Sequence, residues 1–168
     1  KANWVLSNVI DHRPELDGLF DIVFTSYGTI GWLPDLGPWA ANIQRYLKPG
    51  GRLVFVEFHP VMWMFDNGFT RIAYSYFNDE LIKEEEEGTY AERTAGIKLP
   101  TYSWNHPLGD VLGTLLDKGL RLQRFVELDG SPHDCFLNSV TGADGMHRIK
   151  GMEGKLPMVY GLKAVLPE

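Results

Sequence analysis

The segment Arg52 to Phe58 most constrains what this chain can fold into, because Leu53, Val54, Phe55, Val56 and Phe58 follow one another almost without a polar break. A strand that is apolar in both side-chain directions must be covered on both faces, the situation of a strand inside a parallel sheet. The preceding residues supply the rest of such a unit. Phe20 to Phe24 reads as a strand, and Thr25, Ser26, Tyr27 and Gly28 form a polar exit from it. From Pro38 to Leu47, Trp39, Ala40, Ile43, Tyr46 and Leu47 recur at three- and four-residue spacing, with Pro38 in the first turn and Pro49 ending the helix. Gly50 and Gly51 then turn the chain into the apolar strand. Strand, helix and strand in that order imply a right-handed parallel crossover.

On either side of this unit the pattern is shorter. Asn3 to Val9 reads as a short strand. Residues 61–105 hold a Met and Trp cluster, then Ile72, Tyr74 and Tyr76 in alternation, then the acidic run Glu84 to Glu87, and read as an inserted antiparallel hairpin or cap. A helical period resumes at Leu108, Val111, Leu112, Leu115 and Leu116, opened by Pro107 and closed by Gly119. Leu120 to Leu128 is a strand, a loop rich in Gly and Pro follows, and Met158 to Val165 is the last strand. The domain reading is a core of residues 1–60 and 106–168 interrupted by a substrate cap at 61–105.

Composition narrows the partners. With 16 Lys and Arg against 22 Asp and Glu in 168 residues, the net charge of -6 gives no electrostatic footprint for nucleic acid or an anionic membrane. A small molecule or a protein is the expected partner. The single Cys135 cannot close an internal disulfide, and no apolar run reaches the roughly 18 residues of a membrane span, so a cytoplasmic location is expected.

The phrase FDIVFTSYGTIGWL from Phe20 to Leu33, followed by LKPGGRLVFVEFHP from Leu47 to Pro60, resembles the fourth strand, exit loop, helix turn and fifth strand of class I S-adenosylmethionine-dependent methyltransferases. The later helix and two strands match that family's order as well. The resemblance implies an α/β, Rossmann-like, mostly parallel sheet with helices on its faces. It implies S-adenosylmethionine as cofactor and methyl transfer to a small-molecule acceptor. It also implies what to look for upstream: the family's Gly-rich loop and the acid that holds the ribose hydroxyls have no counterpart here, so the N-terminal strands of the family fold are expected to be absent and the chain to be a fragment. The sheet edge left open by missing strands would favour self-association.

By the same resemblance, Ser7, Asn8 and Val9 end a strand beside the adenine, with Asn8 bonding the base edge through a group that both donates and accepts. Thr25, Ser26, Tyr27 and Gly28 would flank the methionine part. The alternatives are that Asn8 makes a turn, that Tyr27 packs half-buried and that Gly28 merely breaks a strand. Glu57, Trp63, Tyr74, Tyr76, Tyr102 and Trp104 are candidates to line an acceptor pocket, against the alternative that they form the insertion's own small core. His59 and His106 are candidates for a general base, since imidazole titrates near neutrality. Glu57 and His59 share a strand face, but with His106, His133 and Cys135 they make no recognised zinc spacing, and no metal site is expected. Two other functions fit the same residues: a non-catalytic binding or scaffold domain that lacks the cofactor loop, and half of a dinucleotide-dependent oxidoreductase.

Overall fold

The computed structural model describes residues 2–77, 80–88 and 95–168. Its elements run β1 (Phe20–Ser26), α1 (Leu36–Tyr46), β2 (Leu47–Phe58), β3 (Ile82–Glu87), β4 (Lys98–Ser103), α2 (Leu108–Asp117), β5 (Arg121–Leu128), β6 (Ser139–Thr141), β7 (His147–Ile149) and β8 (Val159–Val165). Four strands form the main sheet in the order β1, β2, β8, β5.

Strand β1 pairs with β2 in parallel, Val23 opposite Leu53 and Ser26 opposite Val56, while β8 runs antiparallel to both β2 and β5. The sheet is therefore mixed, which corrects the expectation of a mostly parallel one. The cause lies in the connections. Only the α1 crossover returns the chain in the same direction before pairing, whereas the chain entering β8 comes back from the end at which β5 stops.

Alternation along β2 assigns its two faces. Leu53 and Phe55 point into one core with Trp39, Ala40 and Ile43 of α1, Val111 and Leu115 of α2, and Tyr160 and Leu162 of β8. Both helices thus cover the same face. Val56 and Phe58 point the other way, toward Met62, Phe69, Phe136, Ile149 and Met158, none of which lies on an α-helix. The apolar run needed two covers, and the second is built from loops and short hairpins.

Helix α1 begins where the Asp35 side chain accepts from the Gly37 N–H at 2.8 Å. It passes into β2 with no intervening loop, so the residues read as a turn, Leu47 to Gly51, already belong to the strand. The two glycines serve different ends. Gly50 takes a left-handed φ of 76°, and a Cβ on Gly51 would stand 2.8 Å from the Lys48 carbonyl oxygen and 3.0 Å from that of Phe20.

Two further differences, at residues 3–9 and after β5, stand against the sequence reading. Residues 3–9 are not a strand: Trp4 and Leu6 are exposed, the segment has no ladder, and it is anchored to α1 through Asn42, whose amide donates to the Val9 and Asp11 carbonyls. The antiparallel hairpin expected within residues 61–105 is present as β3 with β4, Ile82 opposite Ser103, while one isolated bridge joins Phe65 to Ile72. The loop expected after β5 contains a second hairpin, β6 with β7, steadied by Arg148 between Asp129 and Asp144.

Gly51→Ala is expected to lower stability by about 1 to 3 kcal/mol, the usual cost of forcing a group into filled space. Gly18→Ala, whose Cβ would meet nothing within 4 Å but whose φ of 64° is also left-handed, separates conformational strain from crowding. Urea unfolding of both variants checks this: Gly51→Ala should be the more destabilised.

Candidate active site at the strand ends

The carboxyl ends of β1 and β2 lie side by side, and Glu57 on β2 organises both. Its Oε1 accepts from the N–H groups of Gly28 at 2.5 Å and Phe58 at 2.8 Å, and its Oε2 from those of Thr29 at 2.8 Å and Ile30 at 3.3 Å. Three successive N–H groups can converge on one carboxylate only if the chain curls, and it does: Tyr27 and Gly28 have φ of 35° and 70°. Thr29 closes the curl by donating its hydroxyl to the Ser26 carbonyl at 3.0 Å. Glu57 is buried, and all four of these donors would otherwise be unpaired at the end of a sheet. Its oxygens are engaged with backbone, so it shapes the site from behind.

The turn continues into a single helical turn, Ile30–Trp32, to which the segment before α2 is clipped. Trp104 donates its N–H to the Gly31 carbonyl at 2.9 Å, and His106 Nε2 lies 2.7 Å from the Leu33 carbonyl oxygen. A shallow cleft, partly open to solvent, results between Gly28, Ile30 and Gly31 on one side and Trp63, Trp104, Asn105 and His106 on the other, with Glu57, Phe58, Pro60 and Tyr160 also lining it.

Of the residues singled out from sequence, the cleft thus gathers Gly28, Glu57, Trp63, Trp104 and His106. The rest lie elsewhere. Ser7, Asn8 and Val9 are exposed, Asn8 Oδ1 accepting from the Ile10 N–H at 3.4 Å. Thr25 and Ser26 are in β1. Tyr27 packs edge-on against His133, ring centroids 4.9 Å apart, and tilted on Phe58, and burial raises the pKa of its phenol. Tyr74 donates to Glu84 at 2.8 Å, a bond that holds its phenol pKa up. The Tyr76 hydroxyl accepts from the Leu108 N–H at 3.1 Å and so caps α2, whose N-cap residue is Pro107. The Tyr102 ring lies under the Lys83 ammonium, 5.7 Å away. In the acidic run, Glu85 pairs with Lys98 at 3.1 Å, and the side chains of Glu86 and Glu87 lie outside the described residues.

His59 is buried next to the cleft without lining it. Its Nδ1 accepts from the Val61 N–H at 3.2 Å, and Nε2 sits 3.0 Å from Glu127 Oε1, out of line for a good hydrogen bond. Burial lowers its pKa, and the Glu127 carboxylate only partly opposes this. Among the described residues no three His, Cys, Asp or Glu side chains gather as a metal site.

Two of the polar residues lining the cleft, Asn105 and Tyr160, were not found from sequence. Asn105 stands between Trp104 and His106, and that run of three polar or aromatic residues before a helix was signal enough. Tyr160 carried none, because inside an apolar strand it reads as core.

The ubiE/COQ5 methyltransferase family model matches residues 1–90, more than half of the chain, and the chain belongs to that family. It is a class I S-adenosylmethionine-dependent methyltransferase chain, and its cofactor is S-adenosylmethionine. No curated protein matches it. Solved structures share its fold: a Listeria monocytogenes protein assigned to the S-adenosylmethionine-dependent methyltransferases is 15% identical with a TM-score of 0.61, over 96% of this chain and 68% of that one. A Methanosarcina mazei protein of the same description is 15% identical with a TM-score of 0.58, over 100% and 69%. Geranyl diphosphate C-methyltransferase from Streptomyces coelicolor is 17% identical with a TM-score of 0.50, over 96% and 52%.

Because the His59 pKa is lowered from an ordinary 6.5, the unfolded chain binds a proton before the folded one does. The stability this residue contributes is complete above pH 6.5 and is lost as pH falls from there through the lowered folded value. Urea unfolding between pH 8 and pH 5 should show the decline, and His59→Gln should flatten it.

Proposed function

We propose that the chain forms the acceptor side of a methyltransferase, seating a small molecule in the cleft at the ends of β1 and β2 and presenting it to the methyl group of S-adenosylmethionine. The observation that carries this reading is the position of the cleft, since ligands of open α/β sheets bind outside the carboxyl ends of their parallel strands. Gly28 supports it: a Cβ there would meet only Phe58, at 4.0 Å, so backbone is open to close approach by a ligand.

The cofactor, when bound, supplies an electrophilic methyl carbon on a sulfonium. The residues present fit one wall of it. Tyr27 and Gly28, with Thr25 and Ser26 behind them, would hold the methionine part, and Ser7, Asn8 and Val9 would close on the adenine. His106 is the better placed base. Its Nε2–H is held by the Leu33 carbonyl, which leaves Nδ1 to take a proton from the acceptor, whereas both His59 nitrogens already face protein groups. Trp63 and Trp104 would exclude water and align the acceptor, and alignment supplies most of the rate in a direct displacement.

The outer edge of β1 is unpaired among the described residues, and Ile22 and Phe24 on it are exposed. We take this edge to receive further strands carrying the cofactor loop and ribose acid, or a second copy of the chain where they are missing. The exposed state of residues 7–9 favours a second reading, a domain that binds ligand without turnover.

Isothermal titration with S-adenosylmethionine tests the proposal. A protein extended upstream of Lys1 should bind it, Asn8→Ala and Tyr27→Ala should each weaken that binding by about 0.5 to 1.5 kcal/mol, and the 168-residue chain should bind poorly. Equally tight binding by the short chain, or no effect of either substitution in folded protein, would overturn it. Binding without label transfer to any acceptor supports the second reading.

A further inference from the structure

Two polar side chains in the cleft have no hydrogen-bond partner among the described residues although both are buried: Asn105 Oδ1, in a residue 1% exposed, and the Tyr160 hydroxyl, in a residue 0% exposed. Natural proteins seldom leave such groups unpaired, because each costs its full desolvation. The orientation of Asn105 is fixed by its other end. Nδ2 donates to the Pro60 carbonyl at 3.2 Å, and turning the amide over would set two acceptor oxygens against each other. A third group joins them. The Leu33 carbonyl can only accept, so His106 Nε2 carries the hydrogen and the neutral ring keeps Nδ1 as an acceptor.

From these three groups we propose that the cleft binds a primary ammonium group, held by Asn105 Oδ1, His106 Nδ1 and the Tyr160 oxygen between the Trp63 and Trp104 rings. The inference rests on the reading of the cleft as the acceptor site and narrows the acceptor to an amine carried on a small apolar or aromatic body. Counting decides between ligands. Asn105 Oδ1 and His106 Nδ1 can only accept and the Tyr160 hydroxyl can accept or donate, so an ammonium with three N–H donors can satisfy all three, whereas a hydroxyl has one hydrogen to give and would leave one of the two obligate acceptors bare. Carboxylate and phosphate suit the set poorly, since a group that only accepts would face two acceptors with no lysine or arginine among the lining residues.

The surroundings favour a cation as well. Trp63 and Trp104 line the cleft, and indole is the side chain whose ring face attracts ammonium groups most strongly. The Glu57 carboxylate behind the cleft reaches it electrostatically: after burial, it is the next cause holding the Tyr160 phenol in its protonated form. A hydroxyl kept neutral beside a carboxylate is free to turn its lone pairs toward an incoming N–H.

The test needs no methyl donor. The 168-residue chain is titrated at pH 7 with benzylamine, benzyl alcohol and benzoate while the indole N–H resonances are followed by NMR. Benzylamine should shift Trp63 and Trp104 but not Trp39, which is buried in the helix-side core. Its Kd should be roughly tenfold lower than that of benzyl alcohol, and benzoate should leave the spectrum unchanged. Tyr160→Phe keeps the ring and removes one acceptor, so it should stay folded and weaken benzylamine about fivefold. Equal affinity for the alcohol, absence of shifts at Trp63 and Trp104, or unchanged affinity in Tyr160→Phe would each overturn the inference. Such a failure would leave methyl transfer to another acceptor standing, while loss of methyl transfer alone would leave the amine site standing.

Discussion

One carboxylate holds the functional end of this molecule together. The Glu57 side chain accepts from four backbone N–H groups, three from the turn leaving β1 and one from its own strand. Those donors lie at and just beyond the ends of two neighbouring parallel strands, a place where backbone groups lose their ladder partners. A lone pair of strands could satisfy them with water, but here the carboxylate takes them, and the segment carrying Trp104 and His106 is clipped to the same turn. Charge-assisted bonds to a carboxylate are shorter and stronger than neutral ones, and four together fix a left-handed turn that Tyr27 would otherwise avoid.

The rest of the site follows from that turn. With Gly28 to Ile30 pinned, the carbonyls of Gly31 and Leu33 face the segment before α2 and take Trp104 and His106. Asn105, placed between them, reaches Pro60 beyond the end of β2. Three distant parts of the chain are so joined by polar contacts around one cleft. The apolar core beneath, Phe55 against Trp39 and Tyr160, supplies a floor that does not deform. Tyr160 belongs to both: its ring packs in the core and the residue also lines the cleft.

What the sequence showed, and what it concealed, has a physical pattern. The β1, α1, β2 unit and helix α2 were legible because burial on one or both faces imposes a period on the residues, and Pro and Gly mark their ends. The direction of β8 was not, since an apolar strand reads alike whichever way it runs. Residues 3–9 have the composition of a strand and lack the neighbour that would make them one. At the site, Glu57 was found as a polar residue in an apolar strand, but its partners are backbone N–H groups, which leave no trace in a sequence. Tyr76, read as a pocket residue, caps a helix 32 positions away in the chain. The family was legible from two short phrases because they encode this turn and the strand behind it.

The account depends most on Glu57 acting as the common acceptor of that turn, and amide hydrogen exchange at Gly28, Thr29, Ile30 and Phe58 measures it directly. All four should be protected in the native chain. In Glu57→Gln only one oxygen remains to accept, so at least two of the four should exchange about tenfold faster or more while the Leu162 amide in β8 stays as slow as before. Unchanged protection at all four positions in the folded variant would contradict the account.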